Sequence, residues 1–179
     1  MLISESYREQ NKQLHKVGDF GNSGRKMAQC VYGMSVAHQT KNILDYGCGQ
    51  RLLEKALGFP IKNYDPCIEG LDSPPEPANI VVCGDVLEHI EPEYLDAVLD
   101  DLKRVTHIVG MFHIDTRPAL KTLPDGRNAH LIQQPAEWWF PKLYARWSSV
   151  HITDQLFDSR TTPGLRKSLG FYATVERKR

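Results

Sequence analysis

One feature constrains the fold of this 179-residue chain more than any other: a short strand that runs straight into two glycines. Asn42-Ile43-Leu44-Asp45-Tyr46 reads as a strand, and Gly47-Cys48-Gly49 as the turn that ends it. Leu52, Leu53, Ala56 and Leu57 then recur at helical spacing until Gly58 and Pro60 stop the helix. Ile61 to Tyr64 reads as a second strand, closed by Asp65-Pro66. Glycines in such a turn let a ligand approach the backbone, and the helix start supplies unpaired N–H groups. An acid at the end of the second strand suits a bidentate hydrogen bond to ribose hydroxyls.

The remaining segments keep the alternation. Ile80-Val81-Val82-Cys83 is a short buried strand. Leu95, Val98, Leu99, Leu102 and Val105 form one apolar helical stripe, with Pro92 suited to the first turn. Ile108 to Ile114 is a further strand, followed by a polar loop from Asp115 to His130 and an aromatic helical stretch from Trp138 to Trp147. Val150-His151-Ile152 and Phe171 to Val175 make a closing strand pair. The expected class is an α/β layer fold with a largely parallel sheet, formed as a single domain over 1–179. Residues 1–40, polar and broken by glycines between Gly18 and Gly24, read as an N-terminal lid or cap.

These segments together resemble the class I S-adenosylmethionine-dependent methyltransferases. LDYGCG looks like their first motif, YDP like their ribose-binding acid, and IVVCGDVLEHIEP like their fourth-strand motif. FGNSGRK, upstream, is similar to the segment that closes over the methionine end of the cofactor. The resemblance implies a Rossmann-like, mostly parallel sheet of seven strands with the last antiparallel. It places S-adenosylmethionine against Asp45, Tyr46, Gly47, Cys48, Gly49 and Asp65, with Lys26 or Ser23 toward its carboxylate.

Two departures matter. Gln50-Arg51 stand where the family carries a third glycine. Only fourteen residues separate Asp65 from Ile80, too few for a helix, a strand and a helix. The third strand is therefore expected to be missing or vestigial.

Asp85, Glu88 and His89 stand at i, i+3 and i+4, which shares one face if a helix begins near Val86. Two carboxylates and an imidazole suit Mg²⁺ or Mn²⁺. The pattern is similar to the ubiquinone-biosynthesis O-methyltransferases and the small-RNA 2′-O-methyltransferases, in which an acid-x-x-Glu-His run binds metal. In the RNA enzymes a later histidine precedes an aromatic helical stretch, as His130 does here. Asp85, Glu88, His89 and His130 are thus the metal set, and Glu88, His89 and His130 the catalytic candidates. The same Leu-Glu-His run also occurs in the superfamily without metal, as a packing or hydrogen-bonding element. Of the other histidines, His113 faces either the cleft or the core, and His15 reads as a surface or partly buried residue.

The implied reaction is methylation of an oxygen (or nitrogen) on a small-molecule or nucleotide-like acceptor. Rival readings are a nucleic-acid methyltransferase, a non-methylating enzyme and a non-catalytic cofactor-binding subunit. Composition bears on these. The 22 basic and 22 acidic residues cancel, unlike a strongly nucleic-acid-binding domain. Yet residues 65–101 hold 11 acids and no Lys or Arg, and residues 102–179 hold 13 basic residues against 6 acids. No membrane span or secretory signal is expected. The four cysteines carry no C-x-x-C, which points to a reducing, cytoplasmic setting.

Overall fold

The computed structural model describes residues 1–16, 24–157 and 168–176. The chain forms α1 (Glu5–Lys16), α2 (Gly24–Ala37), β1 (Ile43–Tyr46), α3 (Leu52–Leu57), β2 (Lys62–Tyr64) and β3 (Ala78–Gly84). It continues with α4 (Leu95–Val105), β4 (Thr106–Asp115), α5 (Ala136–Tyr144), β5 (Ser149–Phe157) and β6 (Ser168–Glu176). The six strands lie in one sheet in the order β2-β1-β3-β4-β6-β5. β1 pairs in parallel with β2 and β3, and β3 with β4, while β6 runs antiparallel between β4 and β5.

The two-residue period of the strands sorts their side chains into two cores. Leu44, Tyr46, Val81, Cys83, Phe112, Ile114, Phe171 and Val175 pack under α4 and α5. Ile43, Ile80, Val82, Val109 and Met111 face the other way, against Met27 and Val31 of α2 and Leu53 of α3. All five stripe residues of α4 are buried, each worth about 1.5–3 kcal/mol of transfer free energy. Trp139 is buried under the sheet, and Trp138 lies partly exposed beneath Lys142.

The missing third strand is found as expected. β2 is the edge of the sheet among the described residues, and residues 66–77 form irregular turns. They fold back onto the strand end, where the Asp65 amide donates to the Leu71 carbonyl at 2.9 Å. The sheet switches direction between β1 and β3, the place where open α/β sheets bind ligands beyond their carboxyl ends.

The helix expected near Val86 is instead a single 3-10 turn, Leu87–His89. Asp85 precedes it in left-handed backbone (φ 55°), and Pro92 opens a separate 3-10 turn before α4. Of the glycine-rich break from Gly18 to Gly24, only Gly24 lies within the described residues, and Ser23 lies outside them.

Candidate active site

One cavity of about 550 Å³ lies over the strand ends, and it has two chemically different halves. The first is made by turns. Gly47 (φ 81°) and Cys48 donate their amides to the Tyr64 carbonyl at 2.7 and 3.0 Å, which ties the glycine turn to β2. A Cβ on Gly47 would stand 2.4 Å from Val86 Cγ2, so glycine serves both the conformation and the space. Asp65 caps the arrangement. Its Oδ2 accepts from the Gly49 amide (3.1 Å) and its Oδ1 from the Cys67 amide (2.9 Å). Its two oxygens have lone pairs left for a ligand's hydroxyls.

Asp45 is almost fully buried in the cavity wall. Burial, then the Asp65 charge, pushes its carboxyl up to about 7. A cationic ligand group beside it would restore the ionised form. Lys26 and Met27 of α2 line the same half, and Cys48 is buried there with its thiol pushed up by desolvation, which makes it unreactive. Tyr46, expected at the same site, is not among the residues that line the cavity. Its ring packs on Tyr64 on the far side of the sheet, 4.8 Å between centroids, and its hydroxyl donates to Asp101 at 3.0 Å.

α1 forms one wall of the cavity. Ile3, just before the helix, and Tyr7, Asn11 and His15 on it line the cavity. His15 Nε2 lies 3.9 Å from Asp65 Oδ2, and Arg8 donates to the Pro66 carbonyl at 2.6 Å. These contacts are not legible in the sequence, because a polar helix looks alike whether its face meets water or a ligand.

The second half is made by side chains. Glu88, His89 and His130 bring one ligand atom each within 4.8 Å of one another. Glu88 is fully buried. Its Oε1 accepts from the Asp115 amide at 2.9 Å, and its Oε2 is a buried oxygen with no hydrogen-bond partner among the described residues. Burial, then the Asp85 charge, drives its carboxyl well above the usual range. His89 Nδ1 donates to the Ala129 carbonyl (2.8 Å) and His130 Nδ1 to the Arg117 carbonyl (2.5 Å). In a neutral ring each bond leaves the lone pair on Nε2, the arrangement that carbonyl partners impose on ligand histidines. Burial, and next His130, lower His89 to about 4, so it stays uncharged at neutral pH. The two rings meet edge-on, 4.6 Å between centroids.

Asn128 holds the loop that carries His130. Its side chain accepts from the Ala119 and His130 amides (both 2.9 Å) and donates to the Ala119 carbonyl (2.8 Å). Arg127 of the same loop is paired with Asp125 at the surface. Asp85, grouped by sequence spacing with Glu88 and His89, is not in the group whose ligand atoms converge. With no helix to set the shared face, its carboxylate turns to His113 Nδ1, although it still lines the cavity.

The fold is similar to those of several solved structures. The magnesium protoporphyrin IX methyltransferase of Synechocystis PCC 6803, with bound S-adenosylhomocysteine, matches at TM-score 0.54 and 16% identity over 86% of this chain and 83% of its own. The 1,6-didemethyltoxoflavin-N1-methyltransferase of Burkholderia thailandensis, with its acceptor and S-adenosylhomocysteine bound, matches at TM-score 0.56 and 15% identity over 94% and 87%. The fold is that of the class I S-adenosylmethionine-dependent methyltransferases. The methyltransferase domain of bacterial CtHen1-C also matches, at TM-score 0.52 and 9% identity over 88% and 100%. No family model matches the chain, and no curated protein matches its sequence. The methyltransferase fold is formed here by a sequence 9–16% identical to those three structures. Its glycine turn and strand-end acid occupy the ends of β1 and β2, at the switch point of the sheet.

Proposed function

We propose that this chain is an S-adenosylmethionine-dependent methyltransferase that acts on an oxygen (or nitrogen) of a small-molecule or nucleotide-like acceptor, with a divalent cation at Glu88, His89 and His130. The observation that carries the reading is the continuity of the cavity. Asp45, Gly47, Cys48, Gly49, Asp65 and Lys26 line one end, and His89 and His130 the other. The cofactor, when bound, supplies a methyl group already activated on sulfonium sulfur. Asp65 would take the ribose hydroxyls, Asp45 the ammonium, and the glycine turn would let the backbone close in.

The donor set, one carboxylate and two imidazoles, fits a borderline divalent cation such as Mn²⁺ better than Mg²⁺. One oxygen of Glu88 is orphaned, and both histidines are set with Nε2 as acceptor. Such a cation, when bound, lowers the pKa of an acceptor hydroxyl. The chain's own part is to hold that hydroxyl in line with the cofactor and to exclude water, through α1 and the 115–130 loop. His89 is too weak a base at about 4 to take the proton unaided, which favours the ligand role.

An acceptor within RNA is the second reading, favoured by the resemblance of the Glu88-His89-His130 set to the small-RNA enzymes. Against it, the arginines near the mouth are already paired, Arg117 with Asp115 and Arg127 with Asp125. Steeply salt-dependent oligonucleotide binding would favour the RNA acceptor. The deciding experiment is calorimetry of S-adenosylhomocysteine into chelator-stripped protein, repeated with Mn²⁺. Micromolar binding supports the reading, and no binding in either condition overturns it.

A further inference from the structure

His113 is absent from the cavity lining, yet it fixes the one acid that the cluster lacks. Gly84 and His113 are register partners on β3 and β4, so Asp85 emerges beside the His113 ring. Two bonds then clamp it. The Asp85 amide donates to the His113 carbonyl at 3.1 Å, and the Asp85 carboxylate accepts from His113 Nδ1. The pair holds Asp85 in left-handed backbone, a conformation that asparagine and aspartate tolerate better than most residues.

The ring itself has little freedom. It lies against Tyr172 of β6, 4.3 Å between centroids, and is 9% exposed. β6 crosses it at Gly170, where an added Cβ would stand 3.3 Å from His113 Nε2 and 2.7 Å from the Ile114 carbonyl. Nε2 is buried without a hydrogen-bond partner among the described residues, where the ring's polar anchoring runs through Nδ1 and Asp85. The carboxylate is thereby drawn toward the β4 side while Glu88, His89 and His130 converge without it. Its charge still bears on both Glu88 and His89.

We propose that His113 is a positioning residue that withholds the Asp85 carboxylate from the Glu88–His89–His130 group, so that a divalent cation there has three protein ligands. The inference rests on the cation reading above. An octahedral ion held by three side chains keeps its other positions for acceptor oxygen or water. The Asp85 carboxylate as a fourth ligand would occupy one of them and hold the ion tighter, at the expense of the acceptor.

The test is Mn²⁺ affinity, read by electron paramagnetic resonance of the free ion, on the full chain and four variants. Asp85→Asn suits the left-handed backbone and should shift the Mn²⁺ dissociation constant by no more than about twofold. His113→Phe keeps the ring packing but loses the donor. It should tighten Mn²⁺ by roughly fivefold or more, and the double variant Asp85→Asn/His113→Phe should cancel that gain. His113→Asn, whose amide N–H can stand in for Nδ1–H, should match the wild type. Weakening by about tenfold or more in Asp85→Asn would make Asp85 a ligand and overturn the proposal. So would an unchanged affinity in His113→Phe, or no Mn²⁺ binding by the wild type. If His113→Phe does not fold, His113→Leu, which also loses the Nδ1 donor, takes its place with the same expected gain. S-adenosylhomocysteine titrated into the same samples separates the two levels: retained binding without Mn²⁺ binding sinks the cation site only, whereas loss of both sinks the methyltransferase reading.

Discussion

The two halves of the cavity are built on opposite principles. The half at Asp45, Gly47, Gly49 and Asp65 is made of backbone turns whose residues lie within one strand–helix–strand unit. The half at Glu88, His89 and His130 is made of side chains from two segments some forty residues apart, each held by a carbonyl or amide of another segment. A turn keeps its shape with its ligand absent. A cluster of side chains depends on every loop that aims them. The two halves should therefore fail independently.

The largest effects come from crossing the two. Asp65→Ala removes the acceptor of the Gly49 and Cys67 amides as well as the ribose partner. It should weaken S-adenosylhomocysteine by on the order of a hundredfold, at about 1.5–3 kcal/mol for hydrogen bonds to a charged group, and leave Mn²⁺ within about twofold. Glu88→Gln should do the reverse, weakening Mn²⁺ by about a hundredfold and sparing the cofactor analogue. It should also raise the melting temperature of the chelator-stripped protein at neutral pH. The buried carboxyl is raised above its ordinary value, so its contribution to stability falls as pH rises past that value. Calorimetry with both ligands on both variants checks the pattern, and one variant that loses both ligands breaks it.

Asp45 sharpens the contrast through pH. Its carboxyl is raised from 3.8 to about 7, so the folded protein holds that proton more tightly than the unfolded chain does. Stability from this group is full below about pH 4 and declines until about pH 7, by on the order of a few kcal/mol. A ligand ammonium favours the ionised form, so S-adenosylhomocysteine affinity should rise as pH climbs through 7. Asp45→Asn should flatten both trends and melt higher than wild type at pH 8. Equal pH slopes for the two proteins would remove Asp45 from the cofactor half.

Gly47 gives a smaller effect. Gly47→Ala meets both a φ of 81° and the Val86 methyl at 2.4 Å, and should cost about 1–3 kcal/mol of stability in chemical denaturation. Val86→Ala should recover the part due to the clash and none of the part due to φ.

The same contrast explains what the sequence could convey. The glycine turn, the strand-end acid and the absent third strand were all legible, because each follows from spacing inside a short stretch. His130 was legible by its type and place. The geometry of Asp85 was not. Its spacing to Glu88 and His89 fits a helix, but a contact with His113, 28 residues away, holds it in a conformation that no helix contains. The side chosen by His113 was also hidden, since both faces of β4 are covered and strand alternation labels neither as the cleft.

Tyr7 tests the one element that spans both halves. Near its start, α1 meets the side-chain half: Ser4 donates to Glu91 from its amide (2.8 Å) and its hydroxyl (2.6 Å), and the Tyr7 hydroxyl donates to the His89 carbonyl at 2.6 Å. Further along it meets the turn half, with Arg8 on the Pro66 carbonyl and His15 beside Asp65. Burial raises the Tyr7 hydroxyl to about 12, so it stays a donor across the working pH range. Tyr7→Phe deletes one neutral hydrogen bond and leaves the ring in its small apolar cluster with Leu123 and Ala129. The expected loss is about 1 kcal/mol, or roughly fivefold in affinity. If α1 acts as a cover shared by the two ends, that loss should be felt by S-adenosylhomocysteine and Mn²⁺ alike, and protease cleavage before Gly24 should rise with neither ligand present. A loss confined to Mn²⁺ would mean that Tyr7 serves only the His89 turn, and the halves would then be independent even at the helix that joins them.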